Sequence, residues 1–115
     1  MSVEHLFAGI PVADLDAALA WYERLWGRAP DLVPNDNEGC WQVAESRWIY
    51  VVGDAERAGN ALLTFLVDDL DGWVAELAAR GLETGSVEAI AAGTRTTAIA
   101  DPEGNRLTFA QVPQD

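Results

Sequence analysis

FAGIPVADLDAALAWYERLWG, residues 7–27, and LLTFLVDDLDGWVAELAARG, residues 62–81, carry the same message twice. Each opens as a strand, passes through V-x-D-L-D and ends an amphipathic helix on glycine. The offset from Phe7 to Leu62 is 55 residues in a chain of 115. Two similar modules therefore fill most of the protein, and a site is expected in a cleft between them.

The local grammar is the same in both halves. Leu6, Ala8, Ile10 and Val12 alternate with Phe7, Gly9 and Pro11, so the two sets face opposite sides of a strand. Asp14 stands at the N-cap position, where its carboxylate can accept from free amides of the first helical turn. Leu15, Ala18, Leu19, Tyr22 and Trp26 make one helical stripe, and Gly27 supplies the left-handed stop. In the second half Leu63, Phe65 and Val67 form the helix-side face of the strand and Asp69 is the cap. Leu70, Trp73, Val74 and Leu77 make the stripe, which Gly81 ends. Asp68, Asp69 and Asp71 crowd a helix N-terminus, where the dipole favours negative charge without any ligand.

A β region follows each helix. Trp41–Ala44 and Trp48–Val52 flank the turn Glu45-Ser46-Arg47, and Thr94–Ala100 and Arg106–Val112 flank Asp101-Pro102-Glu103-Gly104-Asn105. Short strands are expected near Leu32-Val33 and Val87–Ala89, which makes each module βαβββ. The expected organisation is a single domain: module one over about 1–53, a Gly/Ala/charge-rich linker over about 54–60, and module two over about 61–112. Pro113-Gln114-Asp115 reads as a fraying tail.

Composition narrows the function classes. A formal net charge of −12 disfavours nucleic acid and anionic membrane surfaces. No apolar run approaches the roughly 20 residues that cross a bilayer, so the chain reads as cytoplasmic, with no membrane partner. Cys40 is the only cysteine, which excludes an internal disulfide and any Cys-x-x-Cys site. All seven basic residues are arginines, so lysine chemistry is excluded.

The ordered motifs Val12-Ala13-Asp14-Leu15, Val67-Asp68-Asp69-Leu70 and Asp101-Pro102-Glu103-Gly104-Asn105-Arg106-Leu107-Thr108-Phe109 resemble those of the vicinal oxygen chelate superfamily, which includes glyoxalases, bleomycin resistance proteins and extradiol dioxygenases. The resemblance implies an α+β fold in which two tandem βαβββ modules form a curved mixed sheet around a cleft, with helices outside. It also implies a homodimer. Enzymes of the superfamily hold a divalent metal at matching strand positions of the two modules. Here those positions are Phe7, Leu62, Thr108 and, on the equivalent strand of the first module, a position near Tyr50. Hydrocarbon and hydroxyl side chains are poor ligands for such an ion, so neither metal nor other cofactor is expected. His5 shares strand parity with Phe7, but a lone histidine is not a site.

What replaces the metal is apolar and aromatic. Phe7, Trp41, Trp48, Tyr50, Leu62, Thr64 and Thr108 are the candidate ligand-binding residues, with Gly9, Leu66 and Ala110 on the same face. Trp21, Trp26 and Trp73 lie on or beside the helices and read as packing residues. The resulting expectation is a metal-independent binder of a small apolar or aromatic molecule, neutral or cationic, in the manner of the bleomycin resistance proteins. The competing reading is a glyoxalase-like lyase or isomerase, or a dioxygenase-related enzyme, with a divalent metal or a metal-free acid–base site.

Overall fold

A computed structural model describes residues 1–113, so the expected fraying of Gln114 and Asp115 lies outside the described residues. Strand β1 (Leu6–Val12) leads into helix α1 (Leu15–Trp26), then β2 (Leu32–Asn35), β3 (Glu38–Ala44) and β4 (Arg47–Gly53). The second module repeats the order with β5 (Leu62–Leu66), α2 (Leu70–Ala79), β6 (Glu88–Ala89), β7 (Arg95–Ala100) and β8 (Arg106–Gln111). The architecture is the expected α+β pair of βαβββ modules. Their strands form two separate four-stranded sheets, in the orders β1-β4-β3-β2 and β5-β8-β7-β6, rather than one continuous curved sheet. In each, the first strand runs parallel to the last, because the intervening helix crosses over, and the remaining pairs are antiparallel.

Both aspartate caps form: Asp14 accepts from the Ala17 amide at 3.1 Å and Asp69 from the Gly72 amide at 3.0 Å. Gly27 closes α1 at φ 74°, a conformation that costs a side-chain-bearing residue more than glycine. The α1 stripe is rotated slightly from the expected one. Ala18, Tyr22 and Leu25 are its buried residues, and Leu15, Leu19 and Trp26 pack at the margin.

One core joins the two modules. Ile10, Val12, Tyr22, Leu25 and Trp41 of the first module cluster with Leu70, Leu77, Leu107 and Phe109 of the second. Two polar devices fix how they meet. Arg24 donates to the carbonyls of Arg80 and Gly81, while Arg80 donates to those of Arg24 and Leu25, so each guanidinium caps the C-terminal end of the other module's helix. The second device is the loop Asp101–Asn105. Asp101 accepts from the Tyr22 hydroxyl at 2.8 Å and from Asn105, whose amide donates onward to the Pro11 carbonyl. Glu103 accepts from the amides of Ala13 and Asp14 at the start of α1.

Tyr22 is fully buried, and burial, reinforced by the negative charge of Asp101, raises its pKa beyond the usual tyrosine range. Below about pH 10 both folded and unfolded chains hold this proton; above it only the unfolded chain releases it. Stability should therefore fall above pH 10, by at most about 1.4 kcal/mol per pH unit from this residue. In urea unfolding between pH 9 and pH 11, Tyr22→Phe should flatten that decline. Parallel curves for the two proteins would refute the assignment.

Candidate functional site

Strand alternation places Ile10, Ile49 and Val51 against the core and turns Phe7, Gly9, Trp48 and Tyr50 the other way. The parallel register pairs Phe7 with Trp48 and Gly9 with Tyr50. Phe7 and Trp48 stack, with ring centroids 5.5 Å apart and planes inclined by 15°. The Tyr50 ring lies across β1 at Gly9, where a Cβ would come within 2.7 Å of it. Glycine is required there by this close approach.

The antiparallel register of β3 on β4 then brings Cys40 opposite Tyr50 and Glu38 opposite Val52. Phe7, Tyr50, Cys40, Glu38, Leu32 and Pro34 surround an open concavity of about 400 Å³. This is an aromatic wall with one carboxylate on it. Burial and the charge of Glu38 push the Cys40 thiol up, so it is a poor thiolate nucleophile.

The second sheet presents a different face. Thr108 pairs with Thr64 on one side and Ala98 on the other, and Thr96 pairs with Ala110. Thr108, Thr96, Ala98, Arg106 and Glu88 border a concavity of about 240 Å³. Its wall is made of hydroxyls and charges.

These registers place the sequence-predicted residues. Phe7, Trp48 and Tyr50 come together on the first sheet. Thr108 lies on the second, and Leu62 stands at its edge, 79% exposed. Thr64 borders a third cavity, between the modules. Within one chain these positions thus border two separate open concavities rather than one cleft. Trp41 pairs with Ile49 rather than lying on the wall face, is fully buried, and donates its indole N–H to the Arg28 carbonyl at 3.0 Å. It is a core residue, because one step of register separates it from the face of Cys40. His5 precedes β1 and borders a shallow depression beside Glu45 and Arg47, away from the wall. Glu38 is the residue that the sequence reading missed. Its signal lay in the parity of β3, which becomes readable only once that strand is known to start at Glu38.

The ladders also test the chelate positions. Gly9 and Thr64 are equivalent by the 55-residue repeat; Gly9 pairs with Tyr50 and Thr64 with Thr108, so Tyr50 is the counterpart of Thr108. The four positions therefore hold Phe7, Leu62, Tyr50 and Thr108. Two hydrocarbons, a phenol and an aliphatic hydroxyl do not fit a divalent ion. Among the described residues no three His, Cys, Asp or Glu side chains converge elsewhere. No helix of the described residues is long and apolar enough to cross a membrane.

Comparison with known proteins gives a family and a fold. The family model for the Glyoxalase/Bleomycin resistance protein/Dioxygenase superfamily matches residues 2–109. A glyoxalase/bleomycin resistance protein from Catenulispora acidiphila is 40% identical, with a TM-score of 0.90 over 96% of this chain and 100% of that one. A bleomycin-binding protein crystallised with bleomycin is 19% identical with a TM-score of 0.77, covering 96% of this chain and 100% of that one. A lactoylglutathione lyase from Agrobacterium tumefaciens is 20% identical with a TM-score of 0.75, covering 92% and 91%. No significant match exists among curated proteins.

Proposed function

Because the chain belongs to the glyoxalase/bleomycin resistance protein/dioxygenase superfamily, whose folds serve both binding and catalysis, we propose that it is a metal-independent binder of a small planar molecule, neutral or cationic. The observation that carries this reading is the concavity walled by Phe7 and Tyr50 with Glu38 beside them, and with Trp48 stacked on Phe7. Aromatic faces attract flat rings and cations, and a carboxylate on the same wall selects for positive charge. The acidic balance of the whole chain adds long-range attraction. One neighbour by fold is a bleomycin-binding protein, another an antibiotic-binding protein from a Streptomyces species, and a sequestered antibiotic or aromatic metabolite fits the same wall.

The working unit in this proposal is a homodimer. Each chain offers two half-sites of unlike character, and large apolar side chains stand in solvent beside them: Leu62 at 79%, Leu66 at 69% and Phe7 at 47% exposure. Apolar surface of this kind is typical of an interface. A second copy related by a twofold axis would set the hydroxyl-bearing sheet of one chain over the aromatic sheet of the other and close two equivalent clefts. Sedimentation equilibrium at tens of micromolar is expected to give twice the mass of 12.4 kDa. A monomer would remove the closed cleft.

Titration of planar cations, bleomycin among them, followed by tryptophan fluorescence tests the binding itself. Saturable quenching is expected at low salt. An unresponsive panel would leave the aromatic wall without the function given to it.

A further inference from the structure

Between the modules, around the edge strand β5, Trp26, Phe65, Trp73 and Phe109 line a third cavity of about 480 Å³, which Thr64 and Leu66 also border. It shares no bordering residue with either concave-face cavity. Its walls come from both modules: Trp26 at the end of α1 and Ala44 and Arg47 from the β3–β4 hairpin face Phe65, Trp73 and Phe109 of module two. The rings hold one another in place. Phe109 stacks between Phe65 and Trp73 at 5.4 Å from each, and Trp26 meets Phe65 and Trp73 edge-on at 5.4 Å and 6.0 Å.

The space is a cleft open to solvent on one side, where Leu66 on its border is 69% exposed. It has the size of a small-molecule pocket and the aromatic lining of one. One charged side chain on its border marks the chemistry of its occupant. Arg47 borders the same cavity, and no acidic side chain lies within ion-pair distance of it among the described residues. The bordering residues include no Asp or Glu, in contrast to the aromatic wall with Glu38.

We propose that this intermodule cavity is a second ligand site, specific for a small planar aromatic carboxylate, with the ring among the four aromatic side chains and the carboxylate directed to Arg47. It lies within one chain and does not depend on the concave-face binding proposed above. A ligand here bridges the two modules, so it stabilises their packing in proportion to its occupancy.

Naphthoate is the probe, with uncharged naphthalenemethanol as its comparison. Calorimetric titration of naphthoate is expected to saturate at one molecule per chain. The Trp26 and Trp73 indole N–H resonances should move, while that of Trp48 stays still. Arg47→Gln, a change at an exposed position, should weaken naphthoate roughly three- to fivefold and leave naphthalenemethanol unaffected. Ala44→Trp, which fills the cavity mouth, should weaken both by about tenfold or more. Trp48→Ala should leave naphthoate binding unchanged. The proposal is overturned if naphthoate shows no saturable binding at millimolar concentration, if the Trp48 resonance moves instead, or if Arg47→Gln affects both compounds equally.

Discussion

Asp101→Ala is expected to destabilise the protein by about 3–5 kcal/mol, because it removes at once the charged acceptor of several buried neutral donors. Asp101 is 4% exposed and holds together groups from distant parts of the chain. Its carboxylate accepts from the Tyr22 hydroxyl, the Glu103 amide, and the amide and side chain of Asn105. Asn105, fully buried, in turn donates to the Pro11 carbonyl and accepts from the Ala61 amide, so it ties β1 to the strand that opens module two. Alanine would leave a phenol and an amide buried without their acceptor, and each unmet donor costs about 1–3 kcal/mol. Asp101→Asn keeps the shape and one acceptor oxygen and should cost clearly less. Urea unfolding of the three proteins checks this. A loss below about 1 kcal/mol for Asp101→Ala would mean that the loop is not what locks the modules.

The lock was half legible in the sequence. Asp101-Pro102-Glu103-Gly104-Asn105 reads as a structural turn, and its carboxylates serve structure here. That Tyr22, Pro11 and Ala13 are the groups it holds depends on how two modules pack, which no local pattern encodes. The helices, their aspartate caps and the glycine stops were readable because capping and 3.6-residue periodicity are local. So were the hairpins, apart from one register. Alternation within Trp41–Ala44 is shifted by a bulge between Gln42 and Ala44, and without the partner strand nothing tells which parity faces the core. Trp41 was therefore expected on the ligand wall while Cys40 and Glu38 hold that face. The separation of Phe7 from Leu62 and Thr108 was hidden for a related reason: equivalent strand positions say which residues are alike, not which come together in one chain.

Trp48→Ala should weaken binding of a planar cation by roughly threefold to tenfold, the effect of losing the ring against which Phe7, on the border of the concavity, is stacked. Its removal frees the Phe7 ring from its preferred orientation. Glu38→Gln should cost less at high salt than at low salt, because the Debye length falls from about 10 Å at 0.1 M to about 3 Å at 1 M. Asp71→Asn removes one negative charge far from the wall, where Asp71 pairs with Arg95 at 2.7 Å. It should leave affinity nearly unchanged. Equal losses for Glu38→Gln and Asp71→Asn would mean that the overall field, not the local carboxylate, attracts the ligand.

The claim that this chain binds its ligand by an aromatic wall in place of a chelated metal is tested most directly by one calorimetric titration, of a planar cation into protein treated with a strong chelator and into untreated protein. The two isotherms are predicted to coincide, with about one site per chain. Binding that disappears on chelation and returns with an added divalent ion would contradict the account.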